Sequence, residues 1–176
     1  RQKASLLRAS ATVDLVLDLL SNGHQVAVSV EFLESARELA DQLARHKVAS
    51  VTISGQVPAA EREQARVEFQ TGNVPVVLFT VCEGISLHAG EIASSATDTT
   101  RSLVVHDPRW SAIQTAQIEG RTHRDGRNAV AYHCFAADTV EERVVAATLQ
   151  RLTDMKAMLG DDVSPLEQLR DVLGLD

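Results

Sequence analysis

Short apolar runs alternate with amphipathic stretches of similar length along most of this chain, and few folds accept that pattern. Gln25 to Val30 (QVAVSV), Val48 to Ile53, Val76 to Thr80 (VVLFT), Leu103 to His106 (LVVH) and Ala129 to Phe135 (AVAYHCF) read as strands. VVLFT has no polar alternation, as expected of a strand covered on both faces. Between the strands lie helical patterns. Leu6, Leu7, Val13, Val16, Leu17 and Leu20 form one apolar face, and Asn22-Gly23 ends that helix. Phe32 to Arg45 puts Leu33, Ala36, Leu39, Ala40 and Leu43 on one side, with Arg37 an ordinary surface arginine. Pro58 suits the first turn of a helix running to about Gln70. Thr139 to Leu159 reads as a long helix with Val145, Leu149, Leu152 and Leu159 on one face, and Pro165 to Leu173 as a short one. Gly90 to Thr100 is small and polar, a loop or insertion. The pattern predicts an α/β fold: a parallel sheet with helices on both faces, plus C-terminal helices. Function is then expected in loops at the carboxyl ends of strands.

The 176 residues suit one domain. No apolar stretch reaches transmembrane length, no signal peptide is visible, and a start at Arg1 points to a piece of a longer protein. Cys82 and Cys134 form no CxxC pair and read as free thiols of a reducing, intracellular compartment, cytoplasmic in a prokaryote or virus. The net charge of −7 argues against a dedicated nucleic-acid-binding domain. Its distribution softens that objection. Asp138 to Asp176 holds nine acids against four bases, whereas Arg101 to Arg127 holds five arginines against three acids.

The usual nucleotide cradles are missing. There is no GxxxxGK[ST] loop and no GxGxxG, so the sequence offers no obvious backbone nest for a triphosphate. No HExxH or paired Cys/His cluster suggests a metal. What is present is QIEGRTHRDGR, from Gln117 to Arg127, between two strands. Arg121 and Arg124 are three apart, so on a helix or a tight helical end they share a face. Two guanidiniums there suit the charge that develops on a transferring phosphoryl group. They also suit a solvated basic helix end, which alone would be the commoner case.

The wider sequence decides between these. QIEGRTHRDGR resembles motif six of superfamily-two helicases, Gln-x-x-Gly-Arg-x-x-Arg, and its His-Arg-x-Gly ending looks like the Swi/Snf branch of DNA translocases. GHQVAVSVEF resembles motif four. SGQVPAAEREQARVEFQTG resembles the segment after it, with Gly55, Arg62 and Phe69 at the expected spacing. VVLFTVCEGISLHAGE resembles motif five, HDPRWSAIQTAQ the Asp-x-x-Trp segment, and DTVEERVVAATLQRL the helix that follows motif six. GISLHA and the insertion after it also resemble the strawberry-notch helicases. Arg127 stands where the Swi/Snf branch usually carries Gln, and Thr80 to Gly84 is shorter than the usual motif five.

The resemblance implies a second RecA-like lobe over residues 1–176, a fragment of a two-lobe protein, with 137–176 a C-terminal helical extension and the helix at 139–159 bracing the lobes. It implies an ATP-dependent helicase or translocase, inactive as this chain alone. ATP with Mg²⁺ would be bound mainly by a first lobe outside this chain, which is one partner; nucleic acid, DNA rather than RNA, is the other, and no membrane is involved. Arg121 and Arg124 would be arginine fingers, with Gln117 orienting a finger or the nucleotide. Glu83, Gly84 and Gly120 would approach the nucleotide, although Gly84 also reads as a loop glycine and Gly120 as a packing one. Thr80, Ser29 and Ser54, at strand ends, would donate to phosphates or serve as turn residues. Trp110 would stack on nucleic acid or anchor a core. The rivals are a non-catalytic RecA-like interaction module, against which intact fingers weigh, and an unrelated α/β enzyme, which has no nucleophile elbow or paired carboxylates in its favour.

Overall fold

In the computed structural model, which describes residues 1–80, 85–88, 99–122 and 129–160, the five strands form one parallel sheet. They are β1 (Gln25–Ser29), β2 (Ser50–Ile53), β3 (Val76–Phe79), β4 (Arg101–Val105) and β5 (Val130–His133), in spatial order β2-β3-β1-β4-β5. The helices are α1 (Gln2–Ser21), α2 (Leu33–Arg45), α3 (Ala59–Gln70), α4 (Ala112–Glu119) and α5 (Val140–Leu159). The short helix read at Pro165 to Leu173 and most of the 90–100 loop lie outside the described residues.

Strand parity sorts the core into two layers, because successive side chains leave a strand on opposite faces. Val26, Val28 and Val30 of the β1 run, with Val76, Leu78 and Val104, pack under α1 and α2. Ala27, Val77, Phe79, Leu103 and Val105 point the other way, against Phe69 of α3, Ile118 and Leu87. All five β1 residues are buried, which explains the apolar run in a strand at the centre of the sheet.

The buried face of α1 differs from the sequence expectation. Leu7 is 75% exposed and Leu6 is exposed too, while Ser5, Arg8, Ala9, Thr12, Val13, Val16 and Leu19 are buried. The helix turns its polar stripe inward over its first half because polar partners wait there, as described below. On α5 the buried set is Glu141, Val144, Val145, Thr148, Leu149, Leu152 and Thr153, and Leu159 is exposed. Thr139 caps this helix by accepting from the Glu141 N–H at 3.1 Å, and Gly160 ends it in the left-handed conformation.

By contacts the chain divides into two units. One comprises Arg1–Asp107 with Ile118–Cys134 and holds the whole sheet. The other comprises Pro108–Gln117 with Phe135–Asp176. Within the second, Thr148 Oγ1 donates to the Arg109 carbonyl and Arg151 Nη1 to the Trp110 carbonyl, so α5 fixes the 109–110 backbone. No helix among the described residues is long and apolar enough to cross a membrane.

Candidate functional site

In a parallel sheet all strands end along one edge, and here the ladder continues past them. Thr80 N–H donates to Ile53 O, Val30 to Phe79 O, His106 to Ser29 O and Cys134 to Val105 O, at 2.9 to 3.1 Å. Ser54, Thr80, Val30, His106 and Cys134 therefore line up on the carboxyl edge.

At one end of that edge is a cleft of about 330 Å³ lined by Leu33, Ala36, Arg37, Thr52, Ser54, Gln56 and Val57. It forms because α2 begins immediately after β1, beside the end of β2. The N-cap of α2 is Phe32, whose side chain makes no capping bond. Leu33 and Ala36 from the start of α2, the exposed Arg37 and Ser54 thus border one space, and a guanidinium beside such a space favours an anion. Arg37 is exposed, as the sequence suggested, and lies at this cleft. Of the serines and threonine expected to meet nucleic acid, Ser54 lines the cleft and Thr80 is half-buried on the edge. Ser29 is fully enclosed, and its hydroxyl has no hydrogen-bond partner among the described residues. It faces the core layer of Ala27, so it does not reach a phosphate from this position.

Further along the edge, Asp107 organises a buried polar network. Its Oδ1 accepts from Arg8 Nη2 at 3.2 Å and its Oδ2 from the Glu31 N–H at 2.7 Å. Arg8 Nε also donates to the His106 carbonyl at 3.0 Å. The enclosed His106 ring bonds Thr12 Oγ1 through Nδ1 at 2.8 Å and Ser5 Oγ through Nε2 at 3.0 Å. Ser5 in turn bonds Ser35 at 2.6 Å. This network holds α1 and the loop after β1 to the end of β4. Burial of Cys134 beside it pushes that thiol up, with bonding to Thr12 opposing more weakly. None of these roles was read from the sequence, although Ser5, Arg8 and Thr12 share a helical face and could have been noticed.

Arg121 stands elsewhere. α4 stops at Glu119, and Arg121 follows in a turn, its N–H donating to Ile118 O. It therefore sits in the turn that ends the helix carrying Gln117. Arg121 Nη1 donates to the Ile85 carbonyl at 2.8 Å, and the Arg121 carbonyl accepts from Leu87 N–H at 2.8 Å. The Leu87 carbonyl is held by Arg101, the first residue of β4. Arg121 is thus tied through Leu87 to Arg101, at the amino end of β4.

Gln117 and Gly120 are exposed, as is Trp110 at 46%. Arg124, Glu83 and Gly84 lie outside the described residues.

A model of the helicase conserved C-terminal domain family matches residues 10–126. Among curated proteins the chain is 25% identical to an ATP-dependent helicase of Mycoplasma genitalium, over 92% of this chain and 15% of that protein. It is 26% identical to the protein Chromatin Remodeling 24 of Arabidopsis thaliana, over 78% of this chain and 12% of that one. The chain thus spans less than a sixth of the length of either. Among solved structures, the C-terminal part of the Fun30 ATPase domain shares the fold, with a TM-score of 0.64 at 15% identity over 79% of this chain and 44% of that one.

Proposed function

Because the chain belongs to the helicase conserved C-terminal domain family, we propose that it is the second, RecA-like motor lobe of an intracellular ATP-dependent helicase or translocase acting on nucleic acid, DNA in preference to RNA. The observation that carries this reading is the seat of Arg121, fixed by two backbone contacts to the segment at 85–87. The relatives' names support it: one is called an ATP-dependent helicase and another a chromatin remodelling protein. The Swi/Snf-like ending of QIEGRTHRDGR favours DNA.

The residues fit a nucleotide shared across an interface. A triphosphate needs a backbone cradle and positive charge, and this chain supplies the charge without a P-loop. A guanidinium has five N–H donors, and the Ile85 carbonyl takes one at Nη1. ATP with Mg²⁺, held mainly by a first lobe, supplies the γ-phosphoryl group. Arg121 and Arg124 of this chain neutralise the charge that develops in its transfer. Gln117 orients a finger, and Glu83, Gly84 and Gly120 flank the nucleotide. Ser54, Thr80, Arg37 and the start of α2 hold the nucleic-acid backbone, and Trp110 stacks on a base. Carrying both groups on one lobe lets one closing motion join hydrolysis to movement along a strand. The 139–159 helix braces the lobes.

The test is ATP turnover with saturating duplex DNA, measured on the complete two-lobe protein and on the 176-residue chain. Turnover by the complete protein alone is expected. Turnover by the isolated chain that survives repeated purification contradicts the shared-site reading.

A further inference from the structure

Arg101 opens β4 and is only 4% exposed. A buried guanidinium must satisfy its donors, since desolvating an unpaired charge is costly. Among the described residues, amides and carbonyls supply four of its contacts. Its Nε donates to Gln25 Oε1 at 3.3 Å, its Nη1 to Gln70 Oε1 at 2.8 Å and to the Leu87 carbonyl at 2.6 Å, and its Nη2 to the Gln70 carbonyl at 3.2 Å. The guanidinium carbon lies 4.9 Å from the centre of the Phe69 ring. Gln25 is itself held by donating to the Phe69 carbonyl at 2.9 Å, and Gln70 Nε2 donates to the Ser86 carbonyl at 3.2 Å.

The parallel ladder already secures β4 on both sides. What Arg101 and Gln70 add is a grip on residues 86 and 87, which have no helical or strand bonds of their own. Leu87 is consequently pinned at both ends of its backbone unit: its carbonyl by Arg101, and its N–H on the Arg121 carbonyl at 2.8 Å. Two residues earlier, the Ile85 carbonyl takes the Arg121 guanidinium. The chain of contacts runs from Arg101 through Leu87 and Ile85 to Arg121.

We propose that Arg101 is a positioning residue for Arg121, setting through the 85–87 backbone where that guanidinium stands when it meets the transferring phosphoryl group. This rests on the reading of Arg121 as a finger. Displacing a catalytic group by about 1 Å lowers a rate by up to about 100-fold, so a support two bonds removed is expected to matter. Lysine keeps the charge of Arg101 but is a point charge, unable to hold Gln25, Gln70 and Leu87 together.

The experiment uses the complete protein, with DNA-stimulated ATP hydrolysis, DNA affinity and thermal melting measured on each variant. Arg101→Lys is expected to lower kcat about tenfold, with KM for ATP and Kd for DNA within about twofold of wild type, the signature of a loss confined to the transition state. In an Arg121→Ala background, Arg101→Lys is expected to add less than about a twofold loss, because the finger it positions is gone. Gln70→Leu, which deletes one Arg101 acceptor and the Ser86 contact, is expected to give a smaller fall that also vanishes in that background. Unchanged kcat in a folded Arg101→Lys variant overturns the proposal, as do losses that multiply with Arg121→Ala. Failure of both Arg101→Lys and Gln70→Leu to fold also overturns it, showing the network to be a folding element. An Arg121→Ala protein that hydrolyses ATP at the wild-type rate instead removes the finger reading itself.

Discussion

Asp107 is the residue whose loss the structure prices most clearly. It is 2% exposed and its two oxygens hold different parts of the molecule: Oδ1 the Arg8 guanidinium, Oδ2 the Glu31 N–H. Asp107→Asn keeps the shape and removes the charge. Arg8, itself 8% exposed, then loses the Asp107 carboxylate it was paired with. Breaking a buried ion pair from one side costs about 3–5 kcal/mol, and one amide cannot offer acceptors to both former donors. A loss of about 4 kcal/mol in a domain of this size lowers the melting temperature by on the order of 10 °C. Arg8→Met alone leaves the buried Asp107 carboxylate without the Arg8 charge and is expected to cost a similar amount. The double variant removes both charges and is expected to recover at least about 2 kcal/mol relative to the sum of the singles. Urea denaturation followed by far-UV circular dichroism gives all four corners of this cycle. If Asp107→Asn costs less than about 1 kcal/mol, or if the two losses simply add, the pair is not the fastener described here.

Two further outcomes follow from the same edge of the sheet. The Cys134 thiol is raised by burial, so the folded state resists its ionisation and the unfolded state does not. Stability is therefore full below the ordinary thiol range, about 8.5, and falls as pH rises from there through the raised folded value; Cys134→Ala is expected to lack that part of the decline in melting temperature between neutral and alkaline pH, and an identical decline in both proteins refutes it. Arg37→Ala, at the cleft with Ser54, is expected to weaken DNA binding by the complete protein and to reduce the magnitude of its log K against log salt slope by about one; an unchanged slope removes the cleft from the nucleic-acid path.

The architecture was legible because its determinants are local. VVLFT and LVVH are too apolar for one-sided burial, and the helices between them leave room only for parallel pairing. The α1 face was misread for the opposite reason. Leu6 and Leu7 are the more apolar residues, but what Ser5, Arg8 and Thr12 meet is His106 and Asp107, about a hundred positions away. Local periodicity cannot register a partner so distant in sequence. The cleft beside Arg37 was not legible either, since it exists only once α2 starts beside the end of β2. The Gly-Arg of QIEGRTHRDGR was visible at once, yet its contact with the Ile85 carbonyl depends on a crossing of two loops that no spacing encodes.

The central claim, that this lobe contributes charge to ATP hydrolysis, is tested most directly by single-turnover hydrolysis in the complete protein with saturating DNA. Arg121→Ala is expected to slow the chemical step by about 10³-fold, with ATP binding only modestly weaker and the fold retained. Arg121→Lys is expected to restore little, because a point charge does not replace a planar fork. Arg45, exposed in the last turn of α2, is the control and is expected to be near neutral when changed to alanine. Equal single-turnover rates for Arg121→Ala and Arg45→Ala would contradict the account, and loss of folding on Arg121→Ala would make that arginine structural.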